Sequence, residues 1–97
     1  AVAELGRAAK LAPDNSRYGY VYALALKETG DVGAALEVLT DAYQRSPSDR
    51  DTLIALVTIN RDTGNLVDAR SYAQALRIRY PNDPDSVALA RDLLQAE

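Results

Sequence analysis

The residues best suited to acid–base or metal chemistry are aspartates that precede two helical segments. Asn82, Asp83 and Asp85 are close in sequence and offer oxygen ligands for a cation. The central glycine and terminal glutamate that a calcium loop needs at fixed spacing are missing. Aspartate just before an apolar helical segment commonly caps the helix N-terminus. The same interpretation applies to Asp49 and Asp51, so the sequence predicts turn and cap roles and no metal site.

Nucleophilic and redox chemistry is limited by the composition. The 97 residues include no Cys and no His, which excludes thiolates, disulfides, Cys/His zinc sites and a histidine base. Gly30 and Gly64 lack the preceding strand and the Gly-Lys-Ser/Thr ending of a phosphate-binding loop. Because capping explains every carboxylate pair, we expect a non-catalytic protein without a cofactor.

The charge balance indicates the kind of partner. Eleven basic and fourteen acidic residues give a net charge of -3, whereas proteins that bind a nucleic-acid backbone are usually basic. Arg70, Arg77 and Arg79 are scattered and form no basic stripe. No apolar segment approaches the roughly 18 residues needed to cross a bilayer. We therefore expect a soluble domain that binds neither nucleic acid nor membrane; whether it is cytoplasmic or periplasmic depends on the parent protein.

Self-similarity along the chain indicates the elements that must position these residues. Pro13, Pro47 and Pro81 are spaced 34 residues apart, and Gly30 and Gly64 have the same spacing. A period of this length is typical of repeat proteins, in which one supersecondary unit stacks on the next because it cannot bury its apolar face alone. The sequence therefore predicts nearly three repeats.

Each period contains two predicted helices. Glycine ends the first in the left-handed conformation that follows many helices, and Asp31 or Asn65 caps the second. The Tyr-Gly-Tyr-Val-Tyr segment at residues 18–22 alternates like a strand, but the strongly helical residues after it favour a helix. The six predicted helices span about residues 1–11, 16–29, 32–45, 50–63, 66–79 and 84–96.

This pattern resembles the tetratricopeptide repeat family over the whole chain. The matching residues of the first complete repeat are Tyr22, Ala23, Leu26, Gly30, Ala35, Leu39, Ala42 and Pro47. Those of the second are Leu56, Val57, Gly64, Ala69, Ala73, Leu76 and Pro81. Gly19 and Asn60 depart from the family pattern, which places larger side chains there. The resemblance implies an all-α fold of six helices, arranged as a right-handed α-α superhelical solenoid of antiparallel helix pairs.

The repeat boundaries predict a single domain of residues 1–97. Residues 1–15 are the second helix of a truncated repeat, 16–49 and 50–83 are full repeats, and 84–97 are a C-terminal capping helix. Arg91 stands where the earlier repeats have small apolar residues, as expected of a terminal cap.

The first helix predicts that something precedes it. Val2, Leu5 and Ala8 form an apolar face suited to an upstream helix, so we expect a fragment of a longer protein. Exposed in isolation, this face would favour a homodimer. The low Lys content and high Ala, Arg and Asp content indicate a bacterial source.

The family resemblance implies a protein–protein interaction scaffold whose concave groove binds a partner peptide. The groove positions it implies are Arg17, Tyr20, Leu24, Lys27, Asp51, Ile54, Thr58, Arg61, Asp85, Ala88 and Asp92. The family's chaperone-tail adaptors grip a carboxylate with a Lys-Asn pair and a later Lys-Arg pair. Here Tyr20 and Leu24 stand at the first pair and Asp85 and Leu89 at the second, so we do not expect chaperone-tail binding.

These groove residues suggest a ligand with apolar anchors and a basic end lying toward the last helix. Two alternatives stay open: the charges simply solvate the surface, and Tyr20 only covers a neighbouring helix. Self-assembly, or a spacer role in a larger bacterial protein, is the competing interpretation of function.

Overall fold

The computed structural model describes residues 2–94, and within them all regular secondary structure is α-helical. The helices are α1 (Val2–Leu11), α2 (Ser16–Glu28), α3 (Val32–Arg45), α4 (Arg50–Asp62), α5 (Leu66–Arg79) and α6 (Pro84–Leu94). All six were predicted, including α2 through its strand-like tyrosine segment. The predicted last turn of α6 lies outside the described residues. No helix within residues 2–94 combines the length and apolar composition needed to cross a membrane.

The turns that end α2 and α4 have the same backbone structure. Gly30 and Gly64 have φ angles of 91° and 83°, a region in which side chains are strained. Beyond α2, the Asp31 amide donates to Leu26 O at 2.9 Å and the Gly30 amide to Lys27 O at 3.0 Å. This pair of hydrogen bonds is the Schellman motif. The predicted role of both glycines is therefore confirmed.

The helix N-termini show most of the predicted capping hydrogen bonds but lack one. Asp31 accepts a hydrogen bond from the Ala34 amide at 3.2 Å, and Asp49 accepts one from the Thr52 amide at 3.0 Å. Asp83 accepts from the amides of Asp85 and Ser86. Asn65 occupies the predicted N-cap position of α5, but the hydrogen bond that a capping side chain accepts there is absent. The Asn65 amide nitrogen instead donates to Asn60 Oδ1 and to Asp68 Oδ2.

The chain divides into two compact units, residues 2–52 and 53–94, so that α4 begins in the first unit and continues in the second. In the first unit α2 packs against both α1 and α3. The fully buried side chains of the first unit include the small Ala23 and Ala35. Complete burial of a side chain as small as Ala35 is expected where two packed helices pass close together.

In the second unit α5 packs against α6. Its core consists of residues from α4, α5 and α6, which include Leu53, Leu56, Val57, Ile59, Ala69, Ala73, Leu76, Leu89 and Leu93. Ala69, one repeat after Ala35, is likewise completely buried.

One of the two departures from the family pattern has a local explanation. Gly19 is buried, but a Cβ there would lie at an ordinary van der Waals distance of 3.5 Å from the Ala42 methyl, so the packing of α2 on α3 does not require glycine. Asn60 is only 3% exposed, but its amide is satisfied. It donates to Leu56 O at 2.7 Å, and its side-chain oxygen accepts from Asn65 at 3.0 Å. A buried amide therefore ties the end of α4 to the start of α5.

Tyr22 stands at a core position of the repeat register, but the structure buries it only in part. It is half-buried, and its ring lies against Gly6 of α1, where a Cβ would come within 3.1 Å of the ring. Gly6, Ala9, Val38 and Tyr22 contribute apolar lining to a pocket of about 320 Å³ between α1 and α3. The Tyr22 ring can therefore occupy this position because Gly6 has no side chain.

Candidate protein-binding surfaces

The first candidate surface is the side of α2 that faces away from its buried residues. Gly19, Ala23 and Leu26 pack inward. Of the predicted positions on this helix, Arg17 and Lys27 are exposed, whereas Tyr20 and Leu24 are half-buried. Since residues three or four apart share one face of a helix, these four side chains form a continuous stripe along α2. We call this stripe the α2 surface.

Charged groups flank the aromatic ring on the α2 surface. The Arg17 guanidinium carbon lies 5.4 Å from the centre of the Tyr20 ring. Its Nη1 lies 3.6 Å from Asp51 Oδ2, and Arg50 contacts the other oxygen of the same carboxylate at 3.3 Å. Exposed ion pairs of this kind stabilise a fold by only about 0–1 kcal/mol. Their main consequence is that Arg17 is held over the accessible ring of Tyr20.

The repeat register explains why Arg17 and Asp51 meet. They occupy the same position in consecutive repeats, and Asp85 occupies it in the next. In a stacked repeat array, equivalent residues of adjacent repeats lie side by side. The opposite charges of Arg17 and Asp51, one period apart, were therefore a sequence signal for this ion pair. Both residues were predicted to lie on one surface, but the ion pair between them was not predicted.

In the second unit, α4 places the predicted residues opposite its buried side. Ile54, Thr58 and Arg61 are half-buried. The Thr58 hydroxyl donates to the Ala55 carbonyl at 3.3 Å, and Arg61 Nε lies 3.0 Å from Asp62 Oδ1. Ile54 therefore supplies accessible apolar area, while Thr58 and Arg61 already make local hydrogen bonds.

The remaining predicted residues lie on α6. Asp85 and Asp92 are exposed and Ala88 is half-buried, and their spacing places them on one face of the helix. Leu89, by contrast, is 8% exposed and belongs to the core. The position compared with the chaperone-tail adaptors is thus both chemically different and largely inaccessible.

None of the eleven predicted residues is fully buried. The structure groups them on α2 with the start of α4 in the first unit, and on α4 and α6 in the second. The exposed side of α5, where Leu66, Val67 and Ile78 are accessible, was not predicted from the sequence. Its signal was the presence of large apolar residues outside the repeat's core positions.

Paired helices, Schellman turns and small residues at close helix crossings, all repeated along the chain, define a helical-repeat protein. Two family models described as tetratricopeptide repeat match the sequence, one over residues 26–93 and the other over residues 1–50. The chain therefore belongs to the tetratricopeptide repeat family, whose repeats generally mediate protein–protein interaction. No curated protein matches it.

Proposed function

We propose that the protein is a non-catalytic scaffold module that binds a peptide segment of a partner protein. The segment binds along the accessible sides of α2, α4 and α6, which are the first helices of their repeats. Family membership is the observation that carries this proposal, because it covers most of the chain. The accessibility of all eleven positions supports it. In this proposal α2 provides one recognition surface in the first unit, and α4 with α6 provides another in the second.

Tyr20 is the proposed anchor of the α2 surface. A half-buried tyrosine offers apolar area and a hydroxyl while losing little conformational freedom on binding. Leu24 extends the apolar area by one turn of α2, and Arg17 and Lys27 supply positive charge beside it. A partner segment with an apolar side chain for Tyr20 and Leu24 fits this arrangement.

The surface of α6 suits a different part of the ligand. Asp85 and Asp92 are exposed two turns apart and leave Ala88 accessible between them. Negative charge at both positions favours basic residues in the bound segment. The proposed ligand therefore combines apolar anchors with a basic portion.

The anchor role of Tyr20 is tested with a Tyr20→Ala variant. Affinity capture from a lysate of the source organism identifies the partner, and calorimetry then measures its affinity for each variant. We expect Tyr20→Ala to weaken binding by about tenfold or more, since aromatic hot spots contribute on the order of 2 kcal/mol. Tyr18→Ala is the matched control, because Tyr18 is exposed on the same helix but on a different side. Equal losses in both variants, or none, would contradict the proposal.

The basic portion of the ligand is tested separately. An Asp85→Lys, Asp92→Lys variant reverses two charges. It should lower the affinity for the same partner and reduce the salt dependence of binding. A Glu28→Lys, Glu37→Lys variant makes the same change in net charge away from α6. If both variants bind alike, long-range charge rather than α6 recognition explains the effect.

Homo-oligomerisation is a second candidate, favoured by the accessibility of α1. Val2, Leu5 and Ala8 are only half-buried, and Leu11 is 86% exposed. Accessible apolar surface of this kind supports contact with a second copy.

A further inference from the structure

The outward side of α5 exposes more large apolar side chains than any other helix within residues 2–94. Val67 is 77% exposed and Ile78 is 70% exposed, and Leu66 is also accessible. The buried residues of this helix are the small Ala69 and Ala73 together with Leu76. The core of the second unit therefore does not account for Val67 and Ile78.

Val67 and Ile78 lie on one line along the helix. They are eleven residues apart, which corresponds to about three turns and about 16 Å. Ser71 and Gln74 are exposed between them on the same line. We call this line the α5 stripe.

Two arginines follow one edge of the α5 stripe, and backbone carbonyls hold both. Arg70 Nε donates to the Leu93 carbonyl at 3.0 Å, and Arg77 Nη1 donates to the Pro81 carbonyl at 2.8 Å. Neutral acceptors position these guanidinium groups without neutralising their charge, and both residues remain exposed. Less conformational entropy is then lost when an anion binds. With Arg79 and one acidic residue, Asp68, α5 carries net positive charge in a chain whose net charge is -3.

We propose that the α5 stripe is a second docking surface, specific for an acidic amphipathic helix of a partner protein. The apolar residues of the partner helix contact Val67 and Ile78, and the carboxylates of the partner helix bind Arg70 and Arg77. Charge complementarity selects this occupant, because the apolar line is bordered by two positioned guanidinium groups. Its residues are not among the α2, α4 and α6 positions, and the proposal does not depend on their function.

The spacing favours a helical ligand over an extended one. In an extended segment about 16 Å corresponds to about five residues, and about 10 Å, the separation of Arg70 and Arg77 along α5, corresponds to about three. Side chains an odd number of residues apart lie on opposite faces of a strand, so an extended ligand would not keep these contacts on one side. A helix repeats the spacing of α5 itself and keeps all four contacts on one side.

Nucleic acid fits this surface less well than an acidic helix does. Its phosphates would pair with the arginines, but its backbone offers no apolar partner for Val67 and Ile78.

The proposal is tested with the full chain and a synthetic fluorescent helical peptide. Its two leucines have the spacing of Val67 and Ile78, and its two glutamates have the spacing of Arg70 and Arg77. A second peptide has lysines in place of the glutamates, and a labelled DNA duplex is the third probe. By anisotropy we expect the acidic peptide to bind at least about tenfold more tightly than either other probe. Equal affinities, preference for DNA, or no binding of the acidic peptide up to about 1 mM would overturn the proposal.

Variants of exposed residues locate the binding. The double variant Val67→Ser, Ile78→Ser should lower the affinity for the acidic peptide by about tenfold or more. The double variant Arg70→Gln, Arg77→Gln should abolish the preference for the acidic peptide over the lysine peptide. Leu11→Ser is the matched control, because it removes an exposed apolar side chain from the other unit. Circular dichroism verifies that each variant is folded.

Two further results would count against the proposed occupant. Unchanged affinity in Val67→Ser, Ile78→Ser would exclude the α5 stripe. A dimer of the free chain that this variant dissociates would assign the stripe to a second copy instead. Tyr20→Ala should leave acidic-peptide binding unchanged, which separates this test from that of the proposed function.

Discussion

At the residue scale, the repeat places a hydroxyl at equivalent positions in two different environments. Thr52 and Ser86 are both completely buried and are one period apart. The Thr52 hydroxyl donates to Asp49 Oδ2 at 2.7 Å. Within the described residues, Ser86 Oγ is buried without a hydrogen-bond partner. A buried polar group left unpaired destabilises the fold, whereas a paired one contributes modestly.

This difference predicts opposite effects of removing the two hydroxyls. Ser86→Ala should raise the free energy of unfolding by about 1 kcal/mol, because the hydroxyl no longer needs to be desolvated. Thr52→Val, which keeps the side-chain shape, should lower it by about 1–2 kcal/mol because the Asp49 bond is lost. Urea denaturation followed by circular dichroism measures both. Destabilisation by Ser86→Ala would mean that its hydroxyl is paired in solution.

The surface ion pairs around Arg45 illustrate a smaller effect at the same scale. Its Nε lies 3.0 Å from Asp41 and its Nη1 3.3 Å from Asp14, which ties α3 to the loop before α2. The hydrogen bond and charge of Asp41, followed by those of Asp14, raise the pKa of the Arg45 guanidinium. Because arginine is already charged at neutral pH, this contact adds no pH dependence near neutrality.

At the scale of elements, small residues determine how closely helices pack. Ala35 of α3 is completely buried in the unit where α2 packs against α3. A Cβ at Gly19 of α2 would lie 3.5 Å from the Ala42 methyl of the same α3 helix, an ordinary van der Waals distance. The small residue that limits the packing is therefore Ala35, because its complete burial leaves no space for a larger side chain.

Adding bulk at this crossing should destabilise the first unit. Ala35→Leu is expected to lower the free energy of unfolding by about 1–3 kcal/mol, because a close-packed core cannot accommodate the extra carbons without strain. Gln44→Leu introduces leucine at an exposed position of the same helix and should change stability by less than about 0.5 kcal/mol. Thermal and urea denaturation of both variants make the comparison. A neutral Ala35→Leu would mean that the crossing is not tightly packed.

At the scale of the whole molecule, accessible apolar surface raises the question of self-association. The predicted face on α1 and the α5 stripe are both candidates, and they lie in different units. The net charge of -3 weakly opposes association of identical copies.

Sedimentation equilibrium over a range of concentrations measures this association. If α1 mediates it, Val2→Lys should convert the chain to a monomer, whereas Val67→Lys should not, because it places the same charge on α5. A concentration-independent monomeric mass for the unaltered chain would exclude self-association as its function.

The sequence by itself determined the elements and their family. Gly30 and Gly64 end helices because only a residue without a side chain adopts their backbone angles without strain. The prolines and buried alanines mark the period because chain direction and helix spacing constrain those positions strongly. These signals are local, or they repeat along the chain, so six helices and the tetratricopeptide family could be predicted from one sequence.

Only the tertiary structure decided which partners the side chains found. Asn65 had the sequence context of a helix cap but bonds to Asn60, because two amides at neighbouring helix ends satisfy each other. Arg17 meets Asp51, and Arg70 reaches the end of α6, through contacts between residues distant in sequence. The accessibility of Val67 and Ile78 likewise follows from which face of α5 is packed. Hydrogen bonding and burial depend on distances in three dimensions, which composition and spacing constrain only where the repeat imposes them.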